Sequence, residues 1–118
     1  MRSSPFLCLD LAKRNLVQSV TCREIIDEFQ EKLQVKFNYQ LEQAKAACDD
    51  LKSYSQLVSI SNTLKVVSQD PDDDMVLECA LVGCAQYIVT GDRHLLSLGH
   101  YQSILIVKAR DFLAIASG

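Results

Sequence analysis

The chain has 118 residues, room for one hydrophobic core and not two, so residues 1–118 are expected to form a single domain. Hydrophobic residues make up 48% and charged residues 23%, which excludes a disordered chain, and a net charge of −3 gives no global basic field of the kind that announces a nucleic-acid binder. The five cysteines form no C-x-x-C pair, and neither histidine sits beside such a pair, which excludes a common zinc module.

An odd, scattered set of thiols reads as reduced and mostly buried, and no apolar run approaches the roughly 18 residues needed to span a bilayer. A soluble cytoplasmic protein is therefore expected, with no membrane partner.

In chain order, MRSSPFLCLDLAKRNL reads as a helix with Ser3 or Ser4 as cap and Pro5 in the first turn. VQSVT has the β-branched character of a short strand. TCREIIDEFQEKLQ then puts Cys22, Ile25, Ile26, Phe29 and Leu33 on one helical face. Glu24, Asp27 and Glu31 project away from that face, and Glu28 lies on its flank. NYQLEQAKAACDDLKSYS is a second, more polar helix built of good helix formers.

The next strand is expected around residues 64–67, followed by a helix of about three turns in DDDMVLECALVG that Gly83 stops. QYIVTGD is a strand, DRHLLSLG a short helix, SILIVKA a strand and RDFLAIA a closing helix. YIVT and ILIV are continuous apolar runs, as in parallel strands covered on both faces. The second half is thus a β-α-β-α-β-α string, which predicts an α/β fold with a parallel sheet.

That topology gathers acids. Loops leaving the C-terminal ends of neighbouring parallel strands open on the same sheet edge, where ligand sites form. Asp70, Asp72, Asp73 and Asp74 follow one predicted strand and Asp92 follows another, so they are expected to approach in space. A calcium loop does not account for them: Met75 stands where that loop needs glycine, and Leu81 where it needs its bidentate glutamate. Helix capping suits any single aspartate, but one cap per helix suffices and further like charges in one turn repel. A shared divalent cation neutralises such a cluster, and Mg²⁺ and Mn²⁺ take carboxylate oxygens.

TGDRHLL after a β-branched strand, with DPDDDMVLECALVGCAQYIV before it and RDFL after the final strand, resembles the PIN domain family. Within that family it is similar to the bacterial subgroup regarded as toxin components of toxin–antitoxin pairs. TCREIIDEFQEKL is similar to the subgroup's middle helix, whose glutamate falls on Glu28. The resemblance spans essentially residues 6–115. It implies a three-layer α/β/α fold with a central parallel sheet, and a Mg²⁺- or Mn²⁺-dependent ribonuclease.

The same resemblance implies Asp73, Asp92 and Glu28 as catalytic metal-site positions, Asp70 as a further ligand, and Thr90 and Asp74 in support, with Asp72 beside them. It also implies RNA as substrate, an antitoxin as partner and a homodimer. Arg93 and His94 either contact phosphate or are surface residues of a helix start. Thr21 is either a polar wall of the site or simply the end of a short strand.

One family feature is missing. A PIN domain begins with a strand ending in an aspartate, typically followed by T/S-N, and no such stretch occurs here; Asp10 lies in a helical context. The N-terminal strand is therefore expected to be absent, leaving neighbouring strands with unpaired backbone groups for another segment or a second chain to fill. Alternatives to the ribonuclease are a catalytically impaired PIN-like protein that binds RNA or protein, and a metal-binding regulatory domain.

Overall fold

The computed structural model describes residues 10–66 and 71–117, which carry the helices and short strands of an α/β fold. Residues 10–13 are helical, and most of the predicted first helix lies outside the described residues. Strand β1 (Ser19–Thr21) leads into helix α1 (Arg23–Val35), which packs against helix α2 (Leu41–Ser53). Ile26, Cys48 and Leu51 form the core between these two helices, with Phe29 and Tyr54 packed against it. The apolar stripe read from α1 is thus the buried one. Gln40 and Gln43 close a reciprocal capping box at the start of α2.

The predicted second helix ends earlier than its composition suggests. Ser55–Leu57 leaves it as strand β2, parallel to β1 in the register Ser19↔Ser55, where the two serine hydroxyls hydrogen-bond at 2.8 Å. Helix propensity in this stretch yields to the ladder that β1 offers.

The strand expected around residues 64–67 is corrected. Residues 64–66 join no ladder, and residues 67–70 lie outside the described residues. The Leu64 amide donates instead to the Glu78 carboxylate at 3.1 Å, and the Val66 amide to the Asp74 carboxylate at 2.8 Å. Side chains of the following helix take the hydrogen bonds that a neighbouring strand would have taken.

That helix, α3 (Pro71–Val82), starts on a proline, as a first helical position favours. Leu77 and Ala80 enter the main core with Ile88, Leu95, Ile104 and Ile106. Strand β3 (Tyr87–Val89), helix α4 (Arg93–Leu98), the two-residue strand β4 (His100–Tyr101), strand β5 (Ile104–Val107) and helix α5 (Ala109–Ser117) complete the domain. Strands β3 and β5 are parallel neighbours, and β4 turns back antiparallel on β5. Tyr87 and Phe112 pack edge to face at 5.4 Å, fastening α5 to β3.

The described strands fall into two small sheets, β1–β2 and β3–β5–β4, in place of one continuous sheet. Helix α3 contacts both. A cleft of about 790 Å³ separates β1 from β3.

Candidate active site

The acids at the start of α3 divide by role. Asp72 is exposed, whereas Asp73 and Asp74 are buried, at 5% and 7% exposure. Asp74 is occupied by the Val66 amide, so this predicted supporting residue holds backbone. Asp73 reaches the other predicted acid: a side-chain hydrogen bond links its carboxyl with that of Asp92. Asp70 lies outside the described residues.

Asp92 is set by its own local sequence. It is the N-cap of α4, with Oδ1 accepting from the His94 amide at 2.8 Å and the Leu95 amide at 3.2 Å. The Leu95 amide, then the His94 amide and the Asp73 carboxyl, hold its carboxyl below the usual carboxylate range, against an opposing effect of burial. Thr90 shapes the same turn from the other side. Its hydroxyl accepts the Asp92 amide at 3.0 Å, and its own amide continues the ladder by donating to the Val107 carbonyl at 3.0 Å. Thr90 is thus placed as a backbone anchor of the turn that carries Asp92. Arg93 and His94 are exposed.

Glu28 is half-buried on α1 and forms an ion pair with Lys32 one turn later, at 3.3 Å. Among the described residues, no three acidic, histidine or cysteine side chains come together as a metal-binding group. The structure thus joins Asp73 with Asp92 and leaves Glu28 on its own helix.

Two groups that the sequence reading passed over organise the surroundings. Glu78, at 7% exposure, points into the loop at 61–64. It accepts hydrogen bonds from the amides of Ser61, Asn62, Thr63 and Leu64 and from the Ser61 hydroxyl. These donors, the Leu64 amide foremost, bring its pKa down to about 2. Asn62, at φ 62°, donates its side-chain amide to Glu24 at 2.9 Å, so the same loop is tied to α1 as well. The signal for Glu78 was present: a lone carboxylate inside the apolar run VLECAL needs a built partner.

Cys79, beside it, is pushed up to about 12 by burial and by the adjoining Cys22 thiol. It is an inert core group.

Carboxylates in contact share either a proton or a cation, because two bare like charges at that separation repel strongly. Asp73 and Asp92 offer only oxygen donors, one buried and one held ionised, a set suited to Mg²⁺ or Mn²⁺ rather than to softer metals. Mg²⁺ commonly uses one or two protein carboxylates and keeps several waters, so the pair fits such an ion.

The described residues thus form a small α/β unit in which two carboxylates come together where a strand end meets a helix start. The chain belongs to the PIN domain family, whose model matches residues 1–94. That family consists generally of nucleases that typically use divalent metals. No curated protein and no solved structure matches the chain.

Proposed function

We propose that this PIN domain is a metal-dependent ribonuclease that hydrolyses RNA phosphodiesters, with Asp73 and Asp92 as its central metal ligands and Glu28 as a third acid. The observation that carries this reading is the meeting of Asp73 and Asp92, 19 positions apart in sequence, at the starts of two different helices. A Mg²⁺ or Mn²⁺ ion bound there would lower the pKa of its water and stabilise the leaving oxygen. The chain's own contribution is positional. The start of α4 keeps Asp92 ionised, Thr90 fixes the turn that presents it, and α3 holds Asp73 against it. Exposed Arg93 and His94 stand next to the pair, where a phosphate would approach. Asp70 is proposed as a supporting ligand from its place in the same acidic run.

Resemblance of the segment from Asp70 to Leu96 to the toxin subgroup supports a role as the toxin of a toxin–antitoxin pair, with an antitoxin as partner and a homodimer as assembly. Cys22, Cys48, Cys79 and Cys84 are all free thiols, which suits a reducing compartment such as the cytoplasm. No helix among the described residues is long and apolar enough to cross a membrane.

One observation favours the second reading, a catalytically impaired PIN domain that acts by binding RNA or protein: Glu28 is engaged by Lys32. Cleavage of single-stranded RNA with Mn²⁺ separates the two. The ribonuclease reading expects activity that falls at least about 100-fold in Asp73→Asn and in Asp92→Asn, since even groups behind a metal's direct ligands cost roughly 10–100-fold. Asparagine still caps a helix, so Asp92→Asn keeps the fold while changing the ligand. Activity that is absent, or unmoved by both substitutions, sinks the catalytic assignment.

A further inference from the structure

The β3–β5 ladder ends beside the acidic pair. Its register runs Ile88↔Ile106 and Val89↔Val107, and the Thr90 amide carries it one step further by donating to the Val107 carbonyl at 3.0 Å. Thr90 and Lys108 are therefore the next residues opposite each other, on chains about 4.8 Å apart. Asp92 stands two positions after Thr90, and its amide is held by the Thr90 hydroxyl.

The strand period fixes the face to which position 108 belongs. Ile104 and Ile106 are buried, whereas Leu105 is exposed and Val107 half-buried. The buried two join Ile88 in the core that Leu77 of α3 and Leu95 of α4 close. Successive residues of a strand alternate between faces, so position 108 falls on the face of Ile104 and Ile106, one step beyond the covered core. That face carries α3 and α4, whose starts hold Asp73 and Asp92.

Lys108 is exposed, and its carbonyl accepts the Phe112 amide at 2.9 Å, so the first turn of α5 fixes its backbone. Among the described residues no carboxylate pairs with it, although Lys13, Arg14 and Lys32 each have one. The nearby acids are engaged elsewhere, Asp92 by two amides and Asp73 with Asp92. A lysine places a compact charge at the end of a flexible stem and binds phosphate as a point charge. Exposed Arg93 adds a second cation directly after Asp92.

We infer, building on the ribonuclease reading, that Lys108 is a substrate-binding residue of this site. Its ammonium holds a phosphate of single-stranded RNA next to the one that meets Asp73 and Asp92, so the strand crosses the sheet edge on the β5 side. Acids that gather a metal also repel an RNA backbone, and a cation on the same face offsets that repulsion.

The test measures binding of a short, labelled single-stranded RNA to the full chain in EDTA, where no cleavage intervenes, across a salt series. For single strands, each phosphate neutralised by a cation adds about 0.7 to the slope of log affinity against log salt. Lys108→Ala is expected to lower that slope by about 0.7 and to weaken binding about threefold at about 0.1 M salt, the scale of one exposed charge pair. Lys108→Arg, which keeps the charge, should preserve both values, and Lys45→Ala, at an exposed position of α2, should change neither. In Mn²⁺-dependent cleavage, Lys108→Ala should raise KM by a similar factor with kcat nearly unchanged, as the loss of binding common to ground and transition states requires.

A slope that Lys108→Ala leaves unmoved, or that Lys45→Ala lowers equally, overturns the inference whether or not the chain cleaves RNA. So does a wild-type chain that binds no RNA at low salt. A chain that shows the expected loss of slope yet never cleaves RNA supports Lys108 as a binding residue and overturns the ribonuclease reading instead.

Discussion

Glu78 carries its charge in the middle of α3, one turn after Asp74 on the same face, and the loop at 61–64 folds around it to supply donors. The consequence is a defined acid sensitivity. A carboxylate whose folded pKa lies below its unfolded value adds stability that is fully present above the unfolded value and is lost as pH falls through the folded one. For Glu78 that window runs from the ordinary 4.5 down to about 2. The amides of Thr63 and Leu64 should therefore lose exchange protection across this range. Glu78→Gln, which offers a neutral acceptor and one fewer oxygen, should lower Tm at neutral pH and remove the dependence. An unchanged acid profile in that variant would mean that another carboxylate holds the loop. Asp92 has the same sign by the same rule, but its backbone donors belong to α4, so its titration is read at His94 and Leu95.

Helix α3 links the two sheets, and its C-terminus shows how closely. A Cβ placed on Gly83 would sit 2.3 Å from Val20 Cγ1 and 3.3 Å from the Cys79 carbonyl oxygen. Glycine is required here by a close approach between the helix end and β1. Gly83→Ala should destabilise by about 1–3 kcal/mol, the usual cost of overpacking a rigid site, because the β-branched Val20 has little freedom to move aside. Urea denaturation measures this, and Val20→Ala in the Gly83→Ala background should restore much of the loss. If the double variant is as unstable as the sum of the single ones, the contact is not the cause. The segment at 64–66 belongs to the same scale. Its β-branched and apolar residues predict a strand, yet Asp74 and Glu78 of α3 take its amides.

Across the whole molecule, the main core gathers around Leu77, which is completely buried between α3 and the β3–β5 pair. Leu77→Ala should cost about 2–5 kcal/mol, the transfer term plus the cavity left behind. The same experiment tests whether the two sheets unfold together. A single urea transition with an unchanged slope means that α3 couples them, whereas a second transition means that β1–β2 with α1 and α2 melts apart. In the folded chain, Asp73 at one end of α3 meets Asp92 beyond the end of β3, and Gly83 just past the other end lies against Val20 of β1, so the acidic pair and the approach to β1 depend on the placement of one helix.

Local pattern was enough to establish the α/β class, the helical stripe of α1, the existence of α3, and the apolar runs of β3 and β5, because each follows from periodicity and from residues adjacent in the chain. Capping was one of the readings open to the aspartates, and Asp92 is an N-cap, a role decided within one turn; Asp73 was set beside it by family resemblance, not by local pattern. Long-range pairing was not legible. That Ser55–Leu57 leaves a helix-forming stretch to pair with β1, and that 64–66 bonds to carboxylates, depends on which groups arrive nearby after folding. Glu28 shows the same limit: its flank position was correct, but the neighbour that holds its charge is Lys32. The sequence by itself determined an acidic chain with a run of carboxylates at 70–74. Only the tertiary structure decided which of them meet, and that among the described residues β1 pairs with β2 and β3 with β5 in two separate sheets, because backbone hydrogen bonds are allotted by geometry and not by residue type.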